Sequence, residues 1–173
     1  MSTSGELAKR SLGVAADAPV EVSFEPRPYD DPDVVRLVAD VQAEYVIRYG
    51  GPDEAAVDLA EFAPPNGLFL VGLLRREPVV TGGWRLLDGQ QATAEIKRMY
   101  VVPAARGRGF ARQMLTELEA SAAAHGAHRI VLNTGTKQPE AIALYESSGY
   151  DAIGGFGHYA CTPGALFYAK RLT

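Results

Sequence analysis

The sequence predicts an α/β fold in which a mixed, mostly antiparallel central sheet is flanked by helices. Three observations predict it. Short runs with two-residue alternation, such as Val20, Val22 and Phe24, exchange with segments of helical spacing, such as Val34, Leu37, Val38, Val41 and Tyr45. Two strand-like runs are joined by only Arg75-Arg76-Glu77, a hairpin that requires antiparallel pairing, whereas the strand-helix-strand steps elsewhere need crossovers. At 173 residues with 47% hydrophobic side chains, the chain suits one domain with a core large enough to hold a preorganised site.

In order, residues 1–19 mix Ser, Ala, Gly and basic residues without a period and read as a flexible leader, so the domain spans 20–173. A first strand from Val20 closes at Pro26 and Pro28. Asp31 then caps a helix with Pro32 in its first position, and Tyr49-Gly50-Gly51-Pro52 breaks it. A short helix is predicted from Asp53 or Glu54 through Leu59, positioned to cover a cleft. Leu68 to Leu74 and Pro78 to Leu87 form the hairpin, Asp88-Gly89 turns the chain, and Thr93 to Val102 is the next strand. A long helix runs from about Arg108 to the Gly126 stop, with Phe110, Met114, Leu115, Leu118 and Ala122 on one side. Arg129 to Asn133 reads as a central strand, Pro139 to the Gly149 stop as a helix, and Tyr150 to Ile153 and Leu166 to Lys170 as the last two strands.

Composition removes several function classes. With 17 basic and 21 acidic residues the net charge is -4, which disfavours nucleic acid as a partner. No run reaches the roughly 20 apolar residues of a membrane span, and the N-terminus lacks a secretion signal, so a soluble, cytoplasmic protein is expected. A single cysteine, Cys161, excludes an internal disulfide, and with His125, His128 and His158 it offers no ligand spacing for a metal.

Arg106-Gly107-Arg108-Gly109-Phe110-Ala111 lies directly between a predicted strand and a predicted helix. Unbonded amides at a helix start form an anion cradle, and glycines let a phosphate approach them. Residues 94–112 hold five basic residues and one acid within a chain that is acidic as a whole. No Gly-x-x-x-x-Gly-Lys-Ser/Thr segment is present, and Gly107-x-Gly109 lacks the third glycine of the dinucleotide fingerprint. On local sequence alone, a tight turn with solvent-facing arginines stays open beside the cradle.

The stretch from Glu95 to Arg112, EIKRMYVVPAARGRGFAR, resembles the central motif of the GNAT N-acetyltransferase superfamily, with its Arg/Gln-x-x-Gly-x-Gly/Ala pattern. Ala141 to Tyr150 resembles the second signature, a tyrosine-bearing helix leading to a glycine-aromatic turn. The resemblance implies acetyl-CoA as acyl donor, no metal, and a primary amine as acceptor. A small-molecule amine is the first reading, a peptide or protein amine or a non-catalytic acyl-CoA-binding module the alternatives. It also implies a homodimer. By family position, Met99, Tyr100 and Val101 hold the pantetheine arm and Arg106, Gly107, Arg108, Gly109, Phe110 and Ala111 receive the diphosphate; Gln138 stands where many relatives have Asn. Tyr145 is the proposed acid for the leaving thiolate, near the thioester sulfur. Glu95, the only carboxylate of its strand, is the proposed base, directly or through water; pairing with Lys97 or an arginine is the competing role. The backbone N–H of Met99 or Tyr100 is placed to polarise the thioester carbonyl. The side on which Tyr100 falls depends on whether a bulge offsets its strand. Tyr45, Tyr49, Phe62, Trp84, Phe156 and Tyr159, with Asp53, Glu54, Asp58 and Glu61, are expected to make an aromatic, negatively biased entrance for a cationic amine.

Overall fold

The computed structural model describes residues 21–87 and 92–173. The predicted leader, Val20 and the Asp88-Gly89 turn lie outside them. Seven strands form one sheet: β1 (Val22–Pro26), β2 (Gly67–Leu74), β3 (Glu77–Leu86), β4 (Thr93–Val101), β5 (Arg129–Gly135), β6 (Asp151–Ala152) and β7 (Ala165–Arg171). Their spatial order is β1-β2-β3-β4-β5-β7-β6. Only β4 and β5 run parallel; every other neighbouring pair is antiparallel. The β2–β3 connection is tighter than the sequence suggests. Leu74 pairs with Glu77, and Arg75 and Arg76 both take left-handed φ values, 51° and 71°, which match the twist of the strands they join.

Three helices cover the sheet: α1 (Pro32–Tyr49), α2 (Phe110–Ala124) and α3 (Pro139–Ser147). Asp31 caps α1 by accepting from the Asp33 amide at 2.9 Å, and Gly50 ends it in a left-handed conformation (φ 86°). The apolar stripe of α1, Val34 and Leu37, buries against Phe62, Phe69 and Val71 on one face of the sheet. On the other face, Phe110, Met114, Leu115 and Leu118 of α2 and Tyr145 of α3 bury against Trp84, Ile96, Ile130 and Leu132. Removing water from each such Leu or Ile side chain contributes roughly 2 kcal/mol, so the spacing seen in the sequence becomes the force that layers the fold.

The predicted short helix over 53–59 is not formed. The chain there forms no regular element and bends at Ala55, and a 3-10 turn follows at Leu59–Phe62, capped by Asp58. The reason is tertiary. Gln42 exchanges side-chain hydrogen bonds with the backbone of Asp53, and the Asp53 carboxylate is taken by Tyr159, Arg98 and the Ala55 amide. Those contacts outweigh a weak local helix preference.

Two irregularities of β4 position the site. First, β4 pairs with β5 only over Thr93, Glu95 and the residue between them, opposite Arg129 to Val131. Beyond that point the strands part, and the β5-facing edge of Ile96 to Val101 has no strand partner. Second, the β3–β4 register shifts by one residue between Thr81↔Tyr100 and Gly83↔Lys97, a bulge centred on Arg98 and Met99. Regular alternation would put Ile96 and Tyr100 on one face. The bulge separates them: Ile96 and Met99 join the α2 cluster, and Tyr100 joins the α1 cluster.

Candidate active site

Where β4 and β5 diverge, a cleft of about 650 Å³ opens between α1, the start of α2, α3 and the loop before β7. Its back wall is Ile96 to Val101, and Asn133 to Gly135 of β5 face it. One end reaches Arg106, Gly107, Gly109, Phe110 and Ala111. The amides of residues 107–112 donate to no backbone carbonyl, and the N-terminus of α2 carries no side-chain cap. Gly107 and Gly109 have φ values of 73° and 80°, a left-handed region that favours glycine, and a Cβ on either would enter open space. This end of the cleft is a cluster of unspent N–H donors at the positive end of a helix dipole.

The sequence-predicted residues fall into this cleft with two exceptions. Met99, Tyr100, Val101, Arg106, Gly107, Gly109, Phe110, Ala111, Gln138 and Tyr145 line it. Arg108 does not; its guanidinium lies over the Phe110 ring, 5.0 Å from the centroid. Glu95 also lies outside the lining. Its carboxylate is buried beside the wall, with Arg85 on Oε2 at 2.9 Å and Lys97 on Oε1 at 3.3 Å. Arg85 is in turn paired with Glu61. Glu95 therefore reaches the cleft through Lys97, whose ammonium also donates to Asn133 Oδ1 at 3.2 Å.

Tyr145 sits where α3 meets β4. Its ring is buried against Tyr150 and Tyr168, and its hydroxyl lies 4.0 Å from the sulfur of Met99. Burial pushes the phenol well above its ordinary range, with a smaller contribution from Tyr45, so the group stays a neutral donor. Tyr45, also in the lining, is pushed up to about 12, mainly by burial and against the charge of Arg98. Gln138 precedes α3 and donates to the Tyr49 hydroxyl at 3.1 Å.

The expected acidic and aromatic entrance takes a different form. Tyr45, Tyr49 and Tyr159 line the cleft, but Phe62 and Trp84 are core and Phe156 stacks on Phe167. Of the four acids, Asp53 alone is in the lining, and Arg98 and Tyr159 hold it. Burial by itself would raise the Asp53 carboxyl; the Tyr159 hydrogen bond and the Arg98 charge more than offset this and leave it below the usual carboxylate range. The Tyr159 hydroxyl, 2.6 Å from Asp53 Oδ1, ties the loop before β7 to the chain after α1 and roofs this end of the cleft.

Sequence reading missed Lys97, Arg98 and Asn133 as site residues, together with Glu44 and Arg48 at the mouth. Asn133 carried a signal, a polar residue closing the apolar run Ile130-Val131-Leu132. Glu44 and Arg48 lie one turn apart on α1, and Glu44 receives Arg48 at 2.6 Å and Arg106 at 2.5 Å. That bridge depends on the tertiary approach of residue 106.

A cleft that offers an open strand edge leading to uncapped helix amides suits a long ligand with an amide-bearing arm and a diphosphate. Residues 35–150 match the acetyltransferase (GNAT) family model. The chain belongs to the GNAT acetyltransferase family. It is 36% identical over 140 residues to an IAA acetyltransferase of Azospirillum brasilense, covering 80% of this chain and 90% of that protein. It is 30% identical over 120 residues to the human N-acetylaspartate synthetase, covering 69% of this chain and 39% of that protein. A crystal structure from Klebsiella pneumoniae, described as an acyl-CoA N-acyltransferase, superposes with a TM-score of 0.77 at 27% identity, over 89% of this chain and 99% of that one. The GNAT fold expected from sequence is the observed fold, and the protein is an acyltransferase. No helix among the described residues is long and apolar enough to cross a membrane.

Proposed function

We propose that this enzyme transfers the acetyl group of acetyl-CoA to the primary amine of a small molecule. The observation that carries the reading is the continuous path along the free edge of β4, from the uncapped amides of α2 to Tyr145 and Met99. When bound, acetyl-CoA supplies an activated thioester. The amides of residues 107–112 and Arg106 hold the diphosphate, and the β4 edge at Met99 to Val101 holds the arm. The Met99 or Tyr100 amide polarises the carbonyl as the amine nitrogen attacks its carbon. As the C–S bond breaks, Tyr145 Oη gives its proton to the sulfur, and the proton that the acylated nitrogen sheds passes through solvent to restore the phenol, so the amide and the CoA thiol form with Tyr145 unchanged. Glu95 acts indirectly, as a positioning residue that fixes Lys97 at the wall. Cys161 is exposed and outside the cleft lining, which supports direct attack rather than a covalent cysteine intermediate.

The Tyr159–Asp53 tie joins two segments across one end of the cleft and supports a small molecule over a peptide laid across the surface. Relatives named for IAA and for N-acetylaspartate support the same choice. A panel of amines incubated with acetyl-CoA, with free thiol and acetylated product measured together, tests the reading. Stoichiometric thiol and acetylated small amine are expected; acetyl-CoA binding with no thiol release across the panel would overturn it.

A further inference from the structure

The acceptor end of the cleft holds buried ion pairs, Lys97 with Glu95 and Arg98 with Asp53, where an acidic wall was expected. Five cationic side chains and three carboxylates line the whole cleft. At the mouth, Glu44 and Glu140 are both paired with Arg48, and Glu44 also with Arg106. Deeper in, Lys97 and Arg98 face a single lining carboxylate, Asp53. Both cations are more than nine-tenths buried, at 7% and 6% relative exposure. The Lys97 ammonium has three N–H groups, gives one to Asn133 Oδ1 at 3.2 Å, and is ion-paired with Glu95 at 3.3 Å. Arg98 gives an N–H from Nη1 to Asp53, while its Nε, fully withdrawn from solvent, has no hydrogen-bond partner. Among the described residues it is the single buried side-chain donor in that condition. Such a donor is costly to leave unmet, so the Arg98 guanidinium is held at the wall against a penalty.

The backbone carries a second sign that this placement is specific. Arg98 stands in the left-handed region at φ 58°, in the bulge of β4, a conformation that residues with a side chain seldom adopt. The bulge falls at the cleft wall, where both Lys97 and Arg98 belong to the lining.

We propose that Lys97 and Arg98 bind a carboxylate carried by the acceptor beside its amine, so that the substrate class is an amino acid rather than a polyamine or other simple cation. This rests on the acetyl-transfer reading for the amine and on the wall's own chemistry for the carboxylate. A carboxylate of the acceptor takes the remaining Lys97 N–H groups beside the Arg98 charge, while Asp53 holds the Arg98 guanidinium. The acceptor's ammonium, before it loses its proton, is attracted by the same Asp53.

Matched acceptors test this on the whole protein: amino acids against their methyl esters and their decarboxylated amines, each assayed for thiol and acetylated product. In parallel, calorimetry of the CoA-loaded protein measures binding of N-acetyl amino acids against the corresponding N-acetyl amino amides. Carboxylate-bearing members are expected to lead by about 10- to 100-fold in kcat/KM and in affinity, the range of a charged hydrogen bond. Arg98→Gly keeps a residue that accepts the left-handed backbone; it is expected to erase most of that lead while changing kcat/KM for the decarboxylated amine far less. Turnover with no preference for the carboxylate overturns the proposal and leaves acetyl transfer standing. Carboxylate-selective binding without any turnover supports the proposal and overturns acetyl transfer. An Arg98→Gly protein that folds and keeps the full preference also overturns it, as does the absence of both selective binding and turnover.

Discussion

The Tyr145 hydroxyl is enclosed by aromatic rings and the Met99 thioether, where an ionised oxygen would have nothing to solvate it. It therefore carries its proton throughout the pH range in which amines are nucleophilic. Tyr145→Phe is expected to lower kcat by about 10²-fold or more with little change in acetyl-CoA affinity, and the wild type to show no loss of rate from phenol ionisation up to about pH 10. Steady-state kinetics across pH check both statements. On the proposed positioning role, Glu95→Gln is expected to reduce kcat/KM without moving the acidic limb of the profile; loss of that limb would instead make Glu95 the base. Asp53 has the opposite sign of shift from Tyr145. Because its folded value is depressed below the ordinary 3.8, it stabilises the fold above that pH and ceases to do so as pH falls through the folded value. Asp53→Asn is therefore expected to lower Tm at pH 7, with the difference from wild type shrinking below about pH 4. Thermal melts at both pH values read this directly.

At the scale of elements, the α2 start was legible in the sequence because everything it needs is local. A strand, two glycines with arginines between and beside them, and an apolar stripe at helical spacing follow one another without interruption from Thr93 to Ala122. Tyr145 was legible for the same reason, through its place on a short helix between Pro139 and Gly149. The β4 bulge was not. Nothing in Ile96-Lys97-Arg98-Met99 marks a one-residue offset; it becomes visible only when Gly82 of β3 faces Arg98 and Met99 in the paired sheet. Roles that depend on cross-strand partners were hidden likewise. Glu95 reads either as a base or as a partner of Lys97 or an arginine, and the sheet register singles out Arg85 opposite it; Asp53 reads as a helix start until Arg98 and Tyr159 reach it from 45 and 106 residues away. The legible part makes a sharp prediction. Gly109→Val is expected to weaken acetyl-CoA binding at least about tenfold, because the side chain would stand in the open space over the amides, and to cost roughly 1–2 kcal/mol through its left-handed φ. Calorimetry on the folded variant separates the two effects.

Over the whole molecule, function follows from one departure from sheet regularity. Six neighbouring strand pairs hold the scaffold, and the one parallel pair, β4 with β5, is joined only at its start. Had the pairing run to the end of β5, the edge amides of β4 would be spent and the sheet would be continuous where the cleft now opens. The parting of these strands exposes hydrogen-bonding backbone in the middle of a packed protein, where it is costly unless a ligand takes it up. The helix α2 then turns its uncapped end toward the same opening, so arm and diphosphate sites share one axis. Calorimetric titration with acetyl-CoA and with acetyl-pantetheine, which lacks the diphosphate, tests that arrangement most directly. Acetyl-CoA is expected to bind with an affinity at least about 100-fold higher, the equivalent of about 2.7 kcal/mol or more. Equal affinities, or a folded protein that binds neither, would contradict it.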